Sequence, residues 1–511
     1  MMPIDHFFYA ARLWPERVAV EVDKGPAHEP LKITFADLLS RSNALAHAFQ
    51  QIDADPGTRV GICAYNSFEH LIAWLATFSA GKTWVPLNPR NGSDELRRII
   101  DVTEPTIIVI DHDCLEKVLP AGGTVILGKP GPEAWSGKSL KDLIAEHTGK
   151  HPRRPERTMD DLQAIKFTGG SSGTPKGVMQ TYRVWNTCVA SMLTSFEFDA
   201  LDRHLIAAPM THGANTLIMP ILAKGGTQLF MSEPATPQAI MRAIERLRAT
   251  SVFVPPTIVY MMLADNKISK RDFSSLRHFI VGGAAMRPDA VAKAMPIFNN
   301  ALETCFGQTE APQIAICIRA NDWQDPENYA STGVPTALTR VGIMDPDGNL
   351  LPIGQQGEIV LKSDLVMKGY YKMPDKTAET IINGWLHTGD IGYEDRRGFI
   401  YIKDRIRDVV VTGGFNVYPS DVETVLGEHP QVSECVVFGL EDEKWGEAVH
   451  AAIEVHKGEV PDPQDIINFV KSRLDAVKTP KKIHITERLP RSPVGKVLRR
   501  EAKVMFAKSK E

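Results

Sequence analysis

Cysteine is scarce in this chain, and what little there is does not pair. The six residues at 63, 114, 188, 305, 317 and 435 show no C-x-x-C spacing and lie mostly in apolar runs. That pattern argues against a disulfide framework or a zinc knuckle and for reduced, structural thiols. Long apolar runs are missing as well: stretches such as 71–78 fall far short of the roughly 20 residues that a membrane-spanning helix needs. The N-terminal Met-Met-Pro-Ile-Asp-His-Phe-Phe has neither a basic n-region nor a long apolar h-region, and the final Ala-Lys-Ser-Lys-Glu is not a Ser-Lys-Leu address. A soluble, cytoplasmic protein without an integral membrane partner is therefore expected. There is no excess charge of one sign either, since 58 Lys and Arg face 62 Asp and Glu. Without a global basic field, nucleic acid is not an expected partner, and any polyanion must be bound locally. No repeat or low-complexity tract is present.

What is present is length and alternation. At 511 residues the chain exceeds what one hydrophobic core usually supports, so two or more domains are expected. From residue 31 onward, short β-rich runs alternate with amphipathic segments: 59–65 then 68–80, 83–87 then 94–102, then 106–110. The pattern resumes with runs at 204–208, 227–230, 251–254, 277–281 and 301–305, and a helical stretch over 237–249. This is α/β logic, in which ligands gather at the carboxyl ends of strands. Residues 128–160 read as an exposed connection with at most one short helix. From 342 to 401, turn signals at 345–348, 354–357 and 395–398 separate short strands, which predicts a β-rich subdomain. A second compact unit follows, with strands near 434–438, 450–455 and 482–486 and a helix over 465–474. The fold class read from this is α/β: a large N-terminal domain (1–403) of α/β subdomains closed by the β-rich one, and a small α+β C-terminal domain (408–511). The boundary is placed at 404–407, a charged segment without an apolar anchor, and such a joint can move.

The densest chemistry lies at 167–177, Phe-Thr-Gly-Gly-Ser-Ser-Gly-Thr-Pro-Lys-Gly. Gly169, Gly170 and Gly173 let backbone N–H groups approach a ligand closely. Thr168, Ser171, Ser172 and Thr174 add hydroxyl donors, and Lys176 adds a point charge suited to phosphate oxygens. The Walker pattern cannot be laid on these residues, so a different nucleotide chemistry is implied. An apolar run at 164–167 precedes the loop, and Trp185, Cys188, Val189, Met192, Leu193 and Phe196 follow on one helical face. The expectation is a loop joining a strand to an amphipathic helix.

These eleven residues resemble the signature loop of the adenylate-forming superfamily, which includes acyl-CoA synthetases, peptide-synthetase adenylation domains and beetle luciferases. They depart from it at Gly169, where most members carry Ser. The resemblance runs from about residue 31 to 500 and implies an acyl-CoA synthetase-like enzyme using ATP, Mg²⁺ and coenzyme A. Residues 209–213, Pro-Met-Thr-His-Gly, resemble the segment in which His212 would line the acyl tunnel. Residues 281–285 and 306–310 resemble the adenine region: Gly283, Ala284, Gly307 and Gln308 would approach the purine, Phe306 would offer a π face, Thr309 would donate to the α-phosphate, and Glu310 would be the Mg²⁺ ligand. Most members have Tyr where this chain has Phe306. In residues 385–390, Asp390 would accept from the ribose hydroxyls.

By the same resemblance, residues 404–408 look like a hinge, with Arg405 binding ribose or phosphate and Arg407 the pivot of a mobile small domain. Gly413, Gly414 and Phe415 would meet coenzyme A. Residues 490–496, Pro-Arg-Ser-Pro-Val-Gly-Lys, resemble the C-terminal segment that presents the adenylation lysine, here Lys496. Lys496, His212, Thr168 and Lys176 are the implied catalytic set. His212, Ala214, Val281, Gly282, Gly283, Ala311, Pro312 and Gln313 are the implied acyl contacts. They are mostly small or neutral, which favours a hydrophobic aryl, phenylpropanoid or medium-chain acid over a dicarboxylate, which would want an Arg partner.

The implied activity is ATP-dependent ligation of such an acid to coenzyme A by a monomer or homodimer. Two alternatives stay open: a stand-alone enzyme loading a carrier protein, and a non-catalytic AMP- or acyl-adenylate-binding protein, which would be expected to lack Lys496 or Glu310. An amino-acid adenylation domain is disfavoured because residues 211–216 hold no Asp for an α-amine.

Overall fold

The computed structural model describes residues 1–119, 121–131, 135–168, 175–456, 458–492 and 495–507. Two large sheets organise the first four hundred residues. In the seven-stranded sheet, Leu162–Thr168, Thr83–Pro86, Arg59–Cys63, Ile107–Ile110 and Thr124–Leu127 run parallel in that spatial order. The nine-stranded sheet has a parallel centre, Leu302–Phe306, His278–Gly282, Ser251–Val254, Arg203–Leu205, Thr227–Phe230 and Val18–Val22. Central strands such as Ile107–Ile110 and Ser251–Val254 are buried at every position, as continuous β-branched and aromatic runs require when both faces are covered. Helices Phe35–Ile52 and Phe68–Ser79 begin at Thr34 and Ser67, whose hydroxyls accept from the N–H groups of Asp37 and His70; such caps satisfy donors that the first turn leaves orphaned. Both sheets contribute to one apolar core in which Trp74, Phe78, Trp84 and Trp185 pack mostly edge to face or tilted.

One local expectation is corrected. Leu162–Thr168 is followed by a second strand, Lys176–Thr181, antiparallel to it with Thr168 opposite Lys176, and only then by helix Tyr182–Ser195. The signature loop thus closes a hairpin. The reason is visible in residues 176–181, where Gly177, Val178, Gln180 and Thr181 are buried, a short run of mixed polar and apolar residues with no clean alternation to register beside the long helical face that follows. Gly169, Gly170, Ser171, Ser172, Gly173 and Thr174, like Pro493 and Val494, lie outside the described residues.

Arg340–Met344, Gly357–Lys362, Ile381–Ile382, Trp385–Glu394 and Ile400–Arg405 form the β-rich subdomain. Its last strand runs through Asp404 and Arg405, so the segment read as an unanchored joint begins inside a sheet, and Asp404 is buried. After the single helical turn Ile406–Asp408, a separate sheet forms from Val410–Thr412, Phe415–Val417, Val432–Asp442, Gly446–Val455 and Lys482–Ile485, backed by helices Pro419–Gly427, Pro463–Lys471 and Arg499–Ala507. It has its own core of Val410, Val422, Leu426, Val437, Ile453 and Ile466. The molecule is therefore a two-domain α/β protein with a large N-terminal and a small C-terminal domain. Among the described residues no helix is long and apolar enough to cross a membrane, and all six cysteines are buried and unpaired with one another as disulfides.

Candidate active site

Strand ends supply the site. The strand Leu302–Phe306 delivers Phe306 into a tight turn in which Gln308 N donates to Ala311 O (2.9 Å) and Ala311 N to Gln308 O (3.2 Å). Only glycine fits at 307, because a Cβ there would stand 2.6 Å from the backbone of Gln313. This turn directs Gln308 toward the β-rich subdomain: its Nε2 donates to Thr388 O (2.8 Å) and to Asp390 Oδ2 (2.7 Å). Arg405 Nε pairs with the other carboxylate oxygen, Oδ1, at 3.0 Å. Asp390 is buried, and burial raises its pKa despite Arg405 and Gln308 pulling it down. A buried carboxylate held by donors on exchangeable side chains is a suitable acceptor for a vicinal diol.

Lys496 comes from the small domain to the same place. A Cβ at Gly495 would lie 3.6 Å from Thr257 Oγ1 of helix Pro256–Leu263, which puts the C-terminal turn against the large domain. Lys496 is exposed to solvent, with protein packed close beside it. That surrounding lowers its pKa, as does nearby Arg405, while Asp390 acts in the opposite direction. Lys496, Asp390, Arg405 and Gln308 thus form one constellation built from both domains.

Glu310 follows Thr309, whose carbonyl accepts from Gln180 Nε2 (2.8 Å). Tyr370 OH donates to Glu310 Oε1 (2.8 Å), and the Tyr370 ring lies under Lys176 Nζ, 4.8 Å from its centroid. Burial and the Glu310 carboxylate push the Tyr370 hydroxyl pKa upward, so it stays a donor. Among the described residues no group of three metal-ligating side chains exists. Glu310 fits Mg²⁺ in the way typical of nucleotide enzymes, as one carboxylate completed by substrate phosphates and water.

The acyl candidates also converge. A Cβ at Gly213 would stand 2.7 Å from Gln313 Oε1 and 3.7 Å from Phe253 Cε1, and one at Gly282 would meet Phe253 Cε2 at 2.8 Å. Cys188 Sγ donates to Pro312 O (3.7 Å), and Gln313 Nε2 to Cys305 Sγ (3.2 Å). Ala214, Val281 and Ala311 are buried around this edge. At Gly283, where φ is +91°, a Cβ would meet nothing within 4 Å, and both Gly283 and Ala284 are exposed, which leaves one face open. His212 Nδ1 lies 3.0 Å from Thr211 Oγ1, and its pKa is pushed down to about 4, first by burial and then by Lys166 and Arg90.

Gly413 and Gly414, at φ +57° and +83°, form the two-residue turn between Val410–Thr412 and Phe415–Val417. Paired left-handed residues are what a right-twisted hairpin of this length demands. Gly413 N donates to Trp445 O (2.8 Å), and Phe415 is 63% exposed, so the hairpin presents an aromatic side chain to solvent. Arg407, on the linking turn, is exposed and lies 3.7 Å from Asp408.

Sequence reasoning missed several supporting residues. Glu358 accepts from His387 or pairs with its Nδ1 (2.7 Å) and accepts from Gly389 N (2.9 Å), so it pins the segment that carries Asp390. Tyr370 and Gln180 hold Glu310 and Thr309. Arg499 binds Asp404, Asp408 and Glu423. Lys166 is buried, within electrostatic reach of His212. None sits in a motif with a reading of its own, although an acid at a strand start and a lysine inside an apolar run are signals of a kind.

With this geometry in view, the comparisons with known proteins decide the family. An AMP-binding enzyme model matches residues 7–371 and an AMP-binding enzyme C-terminal domain model residues 421–496. The chain belongs to the AMP-binding enzyme family. The match begins at residue 7, well before the residue 31 at which the resemblance was first legible. A medium/long-chain fatty-acid–CoA ligase of Mycobacterium tuberculosis is 31% identical over 93% of this chain and 86% of its own length. A feruloyl-CoA synthase of an Amycolatopsis species is 32% identical over 97% of both. Among solved structures, the amide bond synthetase McbA from Marinactinospora thermotolerans is 28% identical, with a TM-score of 0.87 over 99% of this chain and 100% of that one. This AMP-binding enzyme therefore sits in the adenylate-forming superfamily, as the glycine loop suggested.

Proposed function

We propose that the protein is an AMP-forming acid:CoA ligase, with domains at 1–403 and 408–511 about a 404–407 hinge, acting on a hydrophobic aryl, phenylpropanoid or medium-chain acid. The observation that carries this reading is Lys496 of the small domain meeting Asp390, Arg405 and Gln308 of the large one. In the first step a carboxylate oxygen of the acid attacks the α-phosphorus of ATP and pyrophosphate leaves. Asp390 accepts from the ribose hydroxyls and releases Gln308 and Arg405 toward the nucleotide. Lys496, Lys176 and the donors of the 168–174 loop take up charge that grows on the phosphates, an electrostatic role worth most in a preorganised site. Mg²⁺ at Glu310 would supply further neutralisation of the phosphates. Phe306 stacks on the purine while Gly283 and Ala284 approach it, and Thr309 donates to the α-phosphate. His212, Ala214 and residues 311–313 hold the acyl group.

In the second step the thiol of coenzyme A attacks the acyl carbonyl and AMP leaves. The small domain rotates about Arg407, withdraws Lys496, and presents Gly413, Gly414 and Phe415 to the thiol substrate. The nearness of an amide bond synthetase in structure makes the acceptor the least fixed part, since an amine or a carrier-protein thiol would attack the same adenylate. Both Lys496 and Glu310 are present, which speaks against a non-catalytic adenylate-binding protein.

The test is pyrophosphate release from ATP and Mg²⁺ across aryl, phenylpropanoid and aliphatic acids, with and without coenzyme A. Multi-turnover release that requires coenzyme A is the expected result. Release stimulated by amines or a carrier protein instead would reassign the acceptor, and silence with every acid would overturn the ligase.

A further inference from the structure

Lys166 stands near the acyl edge, and the reaction above leaves it without a role. It lies in strand Leu162–Thr168, two residues before Thr168, so strand alternation puts both side chains on one face. It is buried, its relative exposure being 7%. Its ammonium donates to Asn215 Oδ1 (3.1 Å) and stands 5.1 and 5.3 Å from the ring centres of Trp84 and Trp185. Among the described residues no Asp or Glu forms an ion pair with it. A buried ammonium without a carboxylate is costly, and proteins ordinarily retain one only when a counter-charge arrives.

The neighbouring amide is also unfinished. Asn215 is fully buried and its Nδ2 has no hydrogen-bond partner. Asn215 belongs to the turn Gly213–Leu217, directly after His212 and beside Ala214. Cys188, which bonds Pro312 O, is within electrostatic reach of Lys166, and so is His212. Burial drives the Lys166 pKa down to about 7, a value that an incoming carboxylate would raise again. Two donors on adjacent side chains, Lys166 Nζ and Asn215 Nδ2, match the two oxygens of one carboxylate.

We propose that Lys166 and Asn215 form a buried anion pole of the acyl site, and that the substrate is a hydrophobic acid bearing a second carboxylate which these two groups bind. This inference rests on the ligase reading and names its acid more narrowly. It reverses the expectation of a site without a cationic partner. Lys166 stands in the strand ahead of the glycine loop, outside every segment read as acyl-binding.

The test compares kcat/KM for pyrophosphate release in matched pairs: octanoate with octanedioate, and 3-phenylpropanoate with its ring-carboxylated form. Wild-type protein is expected to prefer the diacid of at least one pair. Lys166→Met is expected to lower that preference, read as the diacid-to-monoacid ratio within the variant, about 10- to 100-fold, the worth of one or two charge-assisted hydrogen bonds. Asn215→Asp, which supplies a resident carboxylate, is expected to lower it too, and it retains the lysine should the Met variant fold poorly. A monoacid preference that neither variant changes would overturn the anion pole and leave the ligase standing. Silence of the wild type with every acid would overturn the ligase reading and this one together.

Discussion

Lys496 owes its proposed role to its surroundings more than to its motif. It is presented on a turn closed by Ser492 N donating to Lys496 O (2.7 Å) and Gly495 N to Ser492 O (2.8 Å), and Arg405 and Asp390 set its charge environment. A group that stabilises phosphate charge in only one half-reaction has a clear kinetic signature. Lys496→Ala is expected to slow acyl-AMP formation by about 10²- to 10³-fold, the usual worth of one preorganised electrostatic group, and to leave thioester formation from supplied acyl-AMP unchanged. Equal losses in both half-reactions would remove Lys496 from the first step. A second residue-scale expectation concerns stability. His70 and His204 are fully buried, and burial lowers their pKa values to about 4 and about 3, with His278 adding to the effect at His204. Both values lie below that of an unfolded histidine, about 6.5, so on acidification the unfolded chain binds protons first. The stability that these histidines contribute is complete above pH 6.5 and is lost as pH falls toward their folded values, by several kcal/mol in order of magnitude. The urea midpoint should therefore drop between pH 7.5 and 4.5, and less so in His70→Asn, which can keep the bond to Tyr65 O made at 3.1 Å. A midpoint that stays level would contradict the assignment of neutral histidines.

At the scale of elements, the strands that carry the site were legible wherever burial on both faces writes an apolar run. Thr227–Phe230 and Ser251–Val254 fall where the pattern put them. Strand Val432–Asp442 runs well past the run at 434–438 because Glu441 and Asp442 are polar positions that cross-strand pairing to Glu447 and Gly446 carries along. Lys176–Thr181 is hidden because its buried residues, Gly177, Val178, Gln180 and Thr181, neither alternate nor form an apolar run. What no periodicity encodes is which side chains meet across elements, and Arg499 shows this best. In sequence it is one basic residue in a basic stretch. In the structure it binds Asp404 (3.1 Å) and Asp408 (2.8 Å) on either side of the linking turn and Glu423 (2.9 Å) on helix Pro419–Gly427. It thereby ties the last helix to both ends of the joint. Removing it would leave three carboxylates facing one another, and breaking such a part-buried network costs roughly 3–5 kcal/mol. Arg499→Met is expected to lower the thermal midpoint and to speed amide exchange in residues 403–409. Lys503→Ala, which removes a more exposed pair with Glu447 (3.1 Å), should cost under about 1 kcal/mol and serves as the control. Equal effects of the two variants would deny Arg499 its place as the tie.

For the whole molecule, the question is whether one arrangement of the two domains can serve both half-reactions. The orientation seen here brings Lys496 to Asp390 and Arg405, the groups proposed to hold the nucleotide, while the hairpin of Gly413 and Gly414 makes its backbone bond to Trp445 inside the small domain. The domains also meet along a second seam. A Cβ at Gly427 would stand 2.7 Å from Arg287 Cδ, and Arg287, stacked 4.5 Å over the Tyr260 ring, is within electrostatic reach of Glu434. Neither Arg287 nor Gly427 is among the residues assigned to ATP, the acyl group or coenzyme A, so the seam can be locked without replacing any of those. In the Arg287→Cys, Gly427→Cys protein, closure by a short thiol-reactive cross-linker should hold the present orientation, and the native cysteines, all buried, should be spared. If rotation separates the steps, the locked enzyme forms one equivalent of acyl-AMP and pyrophosphate and then stops, even with coenzyme A present. A reducible linker would restore turnover on cleavage, which separates locking from damage. Steady-state acyl-CoA formation by the locked enzyme at the rate of the unlocked one would show that a single arrangement suffices, and the linking turn at Arg407 would then be a connection and no hinge.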